Sequence, residues 1–180
     1  MLDPVGRVAL SLAREAVERY VLEEVNPEPA SETPRELLGK AGVFVTLRLR
    51  GRLRGCIGTL IPTRPTIAHE IIANAIAAAT ADPRFFPVEA ADLPDLDYEV
   101  DIVEPLEPVA DEGQLDPRLY GVVVEAGERR GVLLPDLEGV ETVPQQIVIA
   151  SAKAGISGDQ LVRLYRFKVR RFREAPAPLA

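Results

Sequence analysis

Apolar residues recur at near-helical spacing from the start of the chain. Val5, Val8, Ala9, Leu12, Ala16 and Tyr20 fall along one stripe, Asp3 stands where a helix cap belongs, and Pro4 takes a first-turn position that tolerates proline. This predicts a first helix over residues 4–25. A proline-broken loop from Asn26 to Ser31 follows, then a short helix capped by Thr33 with Pro34 at its first position. The period then drops to two. Val43, Val45, Leu47 and Leu49 alternate with Phe44, Thr46, Arg48 and Arg50; past Gly51, Leu53, Gly55, Ile57 and Thr59 alternate with Arg52, Arg54, Cys56 and Gly58. Two such runs read as a hairpin. Both apolar rows reach one side only if the loop holds an odd number of residues, because a slip of one flips every side chain. A loop Leu49-Arg50-Gly51, with Gly51 left-handed, meets that condition and pairs Arg48 with Arg52, Thr46 with Arg54 and Phe44 with Cys56.

A broad stripe of Ile67, Ile71, Ile72, Ala75, Ile76 and Ala79 predicts a helix over residues 66–81, ending before Asp82-Pro83. Residues 98–104 alternate as a strand, 121–125 and 131–134 flank Gly127 as a second hairpin, 144–154 form a helix stopped by Gly155, and 164–172 make a last strand. Residues 175–180 read as a frayed tail. Helices interspersed with antiparallel hairpins define an α+β chain, and 180 residues suffice for one domain, or one domain with a smaller lobe.

Composition narrows the chemistry. One cysteine makes no internal disulfide, and one histidine beside it does not complete a zinc site of the usual Cys and His ligands, so neither a metal nor a disulfide is expected. Arg7, Arg14 and Glu15 interrupt the first apolar positions, which argues against a secretory segment or membrane span and for a cytoplasmic protein. A net charge of −7 disfavours nucleic acid and anionic membranes as partners, and the absence of tryptophan removes the best stacking platform. Neither a phosphate loop, a dinucleotide fingerprint nor a nucleophile elbow occurs, so no cofactor is expected.

Cys56 is the sharpest candidate for chemistry, because nearby Arg54 and Arg52 favour a thiolate, and Gly55 and Gly58 leave room for a ligand or a second backbone. A small buried hydrophobe between bulge-forming glycines is the competing reading of the same residues. His69 is the single imidazole available as a base and falls on the following helix, where a structural role is commoner. Arg48, Arg52 and Arg54 form one positive row and Arg166, Lys168 and Arg170 another, offering guanidinium forks to an anion unless Glu99 and Asp101 neutralise them across strands. Asp82-Pro83-Arg84-Phe85 reads as a helix stop and core anchor whose Arg84 is free to meet a carboxylate or ligand. Lys153 suits a helix C-terminus, and ligand binding is the alternative.

The string Leu53-Arg54-Gly55-Cys56-Ile57-Gly58, the strand Val43-Phe44-Val45-Thr46-Leu47 before it, Asp82-Pro83-Arg84-Phe85 with Pro87, the run from Gly131 to Pro135, and Lys153-Ala154-Gly155-Ile156 follow one another in the order of the AMMECR family. The sequence resembles in particular its prokaryotic branch, protein A of the AmmeMemoRadiSam system, and lacks the tryptophans of many eukaryotic relatives. The resemblance implies a two-lobed α+β fold: a larger lobe with an antiparallel sheet over about residues 1–110 plus 150–180, and a smaller lobe with a short sheet over about 111–149. It also implies the company of a MEMO-type protein and a radical-SAM enzyme, and it places the Asp82 motif beside the cysteine hairpin as the second wall of a shared site. Three functions remain open at this point: an accessory component that binds a partner or substrate, a small enzyme using Cys56 as thiolate with Arg84 on an anionic substrate, and a polyanion binder acting through the arginine strands.

Overall fold

The computed structural model of the chain describes residues 3–158 and 160–174. Helix α1 (Pro4–Glu23) starts where the Asp3 carboxylate accepts the Gly6 amide at 2.7 Å, and it ends as Glu24 turns left-handed with φ 57°. The cap expected at Thr33 does not form: a 3-10 turn covers Arg35–Leu38, and the Thr33 hydroxyl donates back to the Ala30 carbonyl instead. Strands β1 (Val43–Leu49) and β2 (Arg52–Thr59) lead to α2 (Ile67–Thr80), capped by Thr66. Then come β3 (Leu96–Val103), β4 (Glu107–Val109), β5 (Gly121–Ala126), β6 (Arg129–Leu133), α3 (Val143–Lys153), β7 (Arg163–Phe167) and β8 (Val169–Arg173). Thr142 and Gln145 form a reciprocal capping box at the start of α3.

The result is α+β, with two antiparallel sheets of four strands, ordered β2-β1-β3-β8 and β4-β7-β5-β6. The chain divides into two compact units, one running to Ile102 and resuming at Arg170, the other spanning Val103–Val169. In the first unit α1 packs on α2, and α2 packs on β1 and β2. The helices approach closely through buried small residues, Ala9, Ala13 and Ala16 on α1 and Ala68 and Ala75 on α2, while Val43, Val45, Leu47 and Val100 supply the sheet side of the core. In the second unit α3 lies on β5 and β6 around Val122, Val124, Leu133 and Ala150. Among the described residues no helix is long and apolar enough to cross a membrane.

Two further sequence expectations are corrected. The run 164–172 is two strands, not one: β7 joins the second sheet and β8 the first, with Lys168 between them. Uniform alternation carries no mark of which sheet each half joins. The first hairpin has a two-residue loop, Arg50-Gly51, with φ 50° and 78°, both in the left-handed region a tight hairpin turn demands. Arg50 offsets that conformation by donating from its guanidinium to Asp95 at 2.6 and 2.9 Å. Leu47 stands opposite Gly55 while Arg48 stands opposite Leu53, so Arg54 is a bulged extra residue. The bulge restores the parity that an odd loop was needed to supply. The observed partners are Thr46 with Cys56 and Phe44 with Gly58, shifted by two residues from the expected register.

Candidate functional site

The bulge decides where each side chain of the hairpin goes. Beyond it, Val45, Ile57 and Val100 share a row on the helix-covered face, while Cys56, Thr46 and Glu99 share a row on the other. Arg52 pairs with Leu49 and Arg48 with Leu53, so Arg48 and Arg52 lie on opposite faces and the expected row of three arginines is broken. Arg54, thrown off the ladder, donates to the Phe86 carbonyl at 2.6 Å, the Pro87 carbonyl at 3.0 Å and the Asp92 carboxylate at 3.1 Å. One guanidinium thereby clamps the segment after α2 against the exposed edge of the sheet.

Asp82 makes the second tie. Its buried carboxylate accepts the Cys56 amide at 2.9 Å, and it accepts the Arg84 amide at 3.1 Å and the Arg84 guanidinium at 3.0 and 2.7 Å. The edge-facing amide of β2, which has no strand to pair with, is satisfied by a side chain. The Arg84 guanidinium, more than the two amides, holds the Asp82 carboxyl far below the ordinary carboxylate range against the opposing effect of burial. Reciprocally, the hydrogen bonds to Asp82 raise Arg84 against the opposing effect of burial, with a smaller electrostatic contribution from Cys56. Arg84 is thus electrostatically coupled to Cys56, whereas the Arg54 guanidinium is engaged by the loop.

Cys56 is half-buried, and the Thr46 hydroxyl points at its sulfur from 3.2 Å. Along the same face, Arg171 forks onto Asp101 at 2.7 and 2.8 Å, and Arg173 meets Glu99 at 3.4 Å. Cross-strand neutralisation therefore operates through Arg171 and Arg173, while Arg166 pairs with Glu107 and Arg170 with Asp3. The Nε of Arg48, on the Thr46 face, is buried and has no hydrogen-bond partner among the described residues. Neither glycine leaves open space: a Cβ on Gly55 would run into the Ala78 carbonyl of α2, and one on Gly58 into the Phe44 ring. The protein's own atoms use that room. Lys153, in the second unit, donates to the Val132 carbonyl at 3.3 Å.

Arg54, Pro83, Arg84, Phe85 and Phe86 line an open cavity of about 430 Å³, and Phe86 is 90% exposed beside it. The Arg84 guanidinium lies 5.4 Å from the centre of the half-buried Phe85 ring. The sulfur of Cys56 is not part of that lining. Sequence reasoning overlooked Thr46, Asp92 and Phe86. Two consecutive phenylalanines before a proline were a signal for the last of these, since one apolar anchor needs only one ring.

These features define an α+β protein whose bulged, cysteine-bearing edge hairpin is closed by an Asp-Pro-Arg-Phe segment. The family model of AMMECR1 matches residues 10–174, and the chain belongs to that family. A protein of Thermotoga maritima is 53% identical over 160 residues, covering 87% of this chain and 92% of the relative. Protein CA_C1420 of Clostridium acetobutylicum is 44% identical over 171 residues, with 92% of this chain aligned to 36% of that longer protein. Among solved structures, the crystal structure of the uncharacterized protein PH0010 from Pyrococcus horikoshii matches with a TM-score of 0.89 at 31% identity, covering 98% of this chain and 94% of that one.

Proposed function

We propose that the protein is an accessory component that binds a partner or substrate, acts with a MEMO-type protein and a radical-SAM enzyme, and uses the surface from Arg54 to Phe86 as its contact. One observation carries this reading: Phe86 is 90% exposed, yet its own carbonyl is held by Arg54 at 2.6 Å. A large aromatic side chain left in water on a loop with fixed backbone is an anchor ordered before binding, which lowers the entropic cost of association. Arg84, bound to Asp82 and set near Phe85, adds the guanidinium that such contact centres favour.

Gentle co-purification of the tagged chain from its native host tests the proposal. The two partners are expected with the unaltered chain, and Phe86→Ala, which removes a solvent-exposed ring, is expected to lower their recovery about tenfold or more. Absence of both partners, or equal recovery with Phe86→Ala, overturns it.

A further inference from the structure

A second cavity, of about 450 Å³, opens in the first unit between the end of α1, the stretch from Asn26 to Glu28, and the first half of α2. Its wall is built from Tyr20, Pro27, Arg64, His69, Ile72 and Ile76. None of these belongs to the hairpin surface described above. The volume lies in the range of small-molecule sites, and the two isoleucines give it an apolar floor.

Arg64 distinguishes this cavity from an ordinary surface dent. Its backbone is fixed from below by Glu70, a carboxylate whose residue is only 1% exposed. Glu70 accepts the Arg64 amide at 2.7 Å, the Thr63 amide and hydroxyl both at 2.9 Å, and the Thr59 hydroxyl at 2.6 Å. Burial works against the charge on Glu70, and those hydrogen bonds outweigh it, so its carboxyl stays below the ordinary value. A loop so held presents the Arg64 side chain from a rigid base, and among the described residues its guanidinium has no carboxylate within ion-pair distance. The cation is open to solvent and, among the described residues, has no carboxylate of its own chain to displace. Across the cavity, the Glu28 carboxylate meets His69 Nε2 at 3.3 Å, while His69 Nδ1 is engaged by the Thr66 hydroxyl at 2.7 Å. Glu28 repels an occupant in proportion to its charge, a modest effect because its side chain is 84% exposed, so it weighs more against a dianion such as hydrogen phosphate than against a monocarboxylate.

We infer that this cavity binds a small monocarboxylic acid with an apolar body, its carboxylate on Arg64 and its body against Ile72 and Ile76. A guanidinium fork matches a carboxylate in two parallel hydrogen bonds, and the apolar floor removes the remainder from water. The site is independent of the Arg54-to-Phe86 surface, and its test is independent too.

Hydrocinnamate titrated into the full chain, followed by amide NMR, is the measurement, with hydrocinnamyl alcohol and inorganic phosphate as the comparison probes. Saturable shifts are expected at Tyr20, Asn26, Glu28, His69 and Ala73, with the alcohol binding about tenfold or more weaker because it forfeits the charge-assisted bonds. Arg64→Gln, a change to an exposed side chain, is expected to weaken hydrocinnamate by a similar factor, and Phe86→Ala to leave it unchanged. The inference is overturned if no shifts appear at millimolar hydrocinnamate, if the alcohol or Arg64→Gln matches the parent, if phosphate moves the same amides, or if the shifts gather at Arg54 and Phe85.

Discussion

Gly55 shows how one missing side chain sets the distance between two elements. The Ala78 carbonyl of α2 occupies the place where a Cβ would stand, and that carbonyl belongs to helix backbone with no rotamer to yield. Gly55→Ala must therefore push α2 from β2 or break the β2 ladder, and overpacking of this kind costs about 1–3 kcal/mol and often more when backbone is the obstacle. Gly51 is glycine for another reason: its φ of 78° is left-handed, but no atom lies within 4 Å of the added methyl. Gly51→Ala is expected to cost about 1 kcal/mol, from backbone strain alone. Urea unfolding of both variants checks the order, and a Gly51→Ala loss equal to or above that of Gly55→Ala would refute this account. The sequence marks Gly51 as a turn glycine and Gly55 as one that admits a ligand or a second backbone, without saying which of those two it meets. Only the register and the helix contact decide that.

At the scale of elements, the segment after α2 behaves as a substitute strand for the free edge of β2. The Asp82 carboxylate takes the outward Cys56 amide at 2.9 Å, and Arg54 seizes two carbonyls of the same segment. Asp82→Asn keeps the shape and an acceptor oxygen but loses the charge that draws Arg84. The expected cost is about 1–2 kcal/mol, discounted because the Arg84 side chain is 55% exposed. Hydrogen exchange provides the local readout: the Cys56 amide should exchange faster in the variant, and unchanged protection would show that Asp82 is dispensable to the edge. Much of this was legible from the chain. The helical stripe ending at Asp82-Pro83 located α2 to within a residue at either end, and period-two alternation found β1, β2 and β3. The bulge at Arg54 was not legible, because a two-residue loop with one bulged residue and a three-residue loop place the apolar rows on the same side. That ambiguity moved Cys56 from Phe44 to Thr46 and dispersed the arginines. The short β4 also escaped, since Glu107-Pro108-Val109 has too few residues to display a period.

For the whole molecule, the titrating groups that folding perturbs predict a stability profile with two limbs. Asp82, Glu70 and Asp3 all have carboxyls held below their ordinary values in the folded protein, Asp82 chiefly by Arg84, Glu70 by hydrogen bonds that outweigh burial, and Asp3 chiefly by the Gly6 amide. A depressed folded value means that the unfolded chain takes up protons first, so the stabilisation is present above the ordinary values of 4.5 for Glu70 and 3.8 for the aspartates and is lost as pH falls through the folded ones. Tyr98 acts at the other end. Burial raises its hydroxyl, with the Arg14 charge opposing, so its share of stability is present below 10.0 and is lost as pH rises toward the folded value. That hydroxyl is buried without a hydrogen-bond partner among the described residues, and the Arg14 guanidinium lies 4.5 Å from the centre of the ring. Tyr98→Phe deletes an unsatisfied polar atom while keeping the ring that packs beneath Arg14, so it is expected to be neutral or stabilising at pH 7 and to flatten the alkaline limb. Thermal unfolding by circular dichroism across the pH range reads both limbs. A parent chain whose melting temperature does not fall below about pH 4, or a Tyr98→Phe variant that is markedly less stable at neutral pH, would contradict the assignment of these groups.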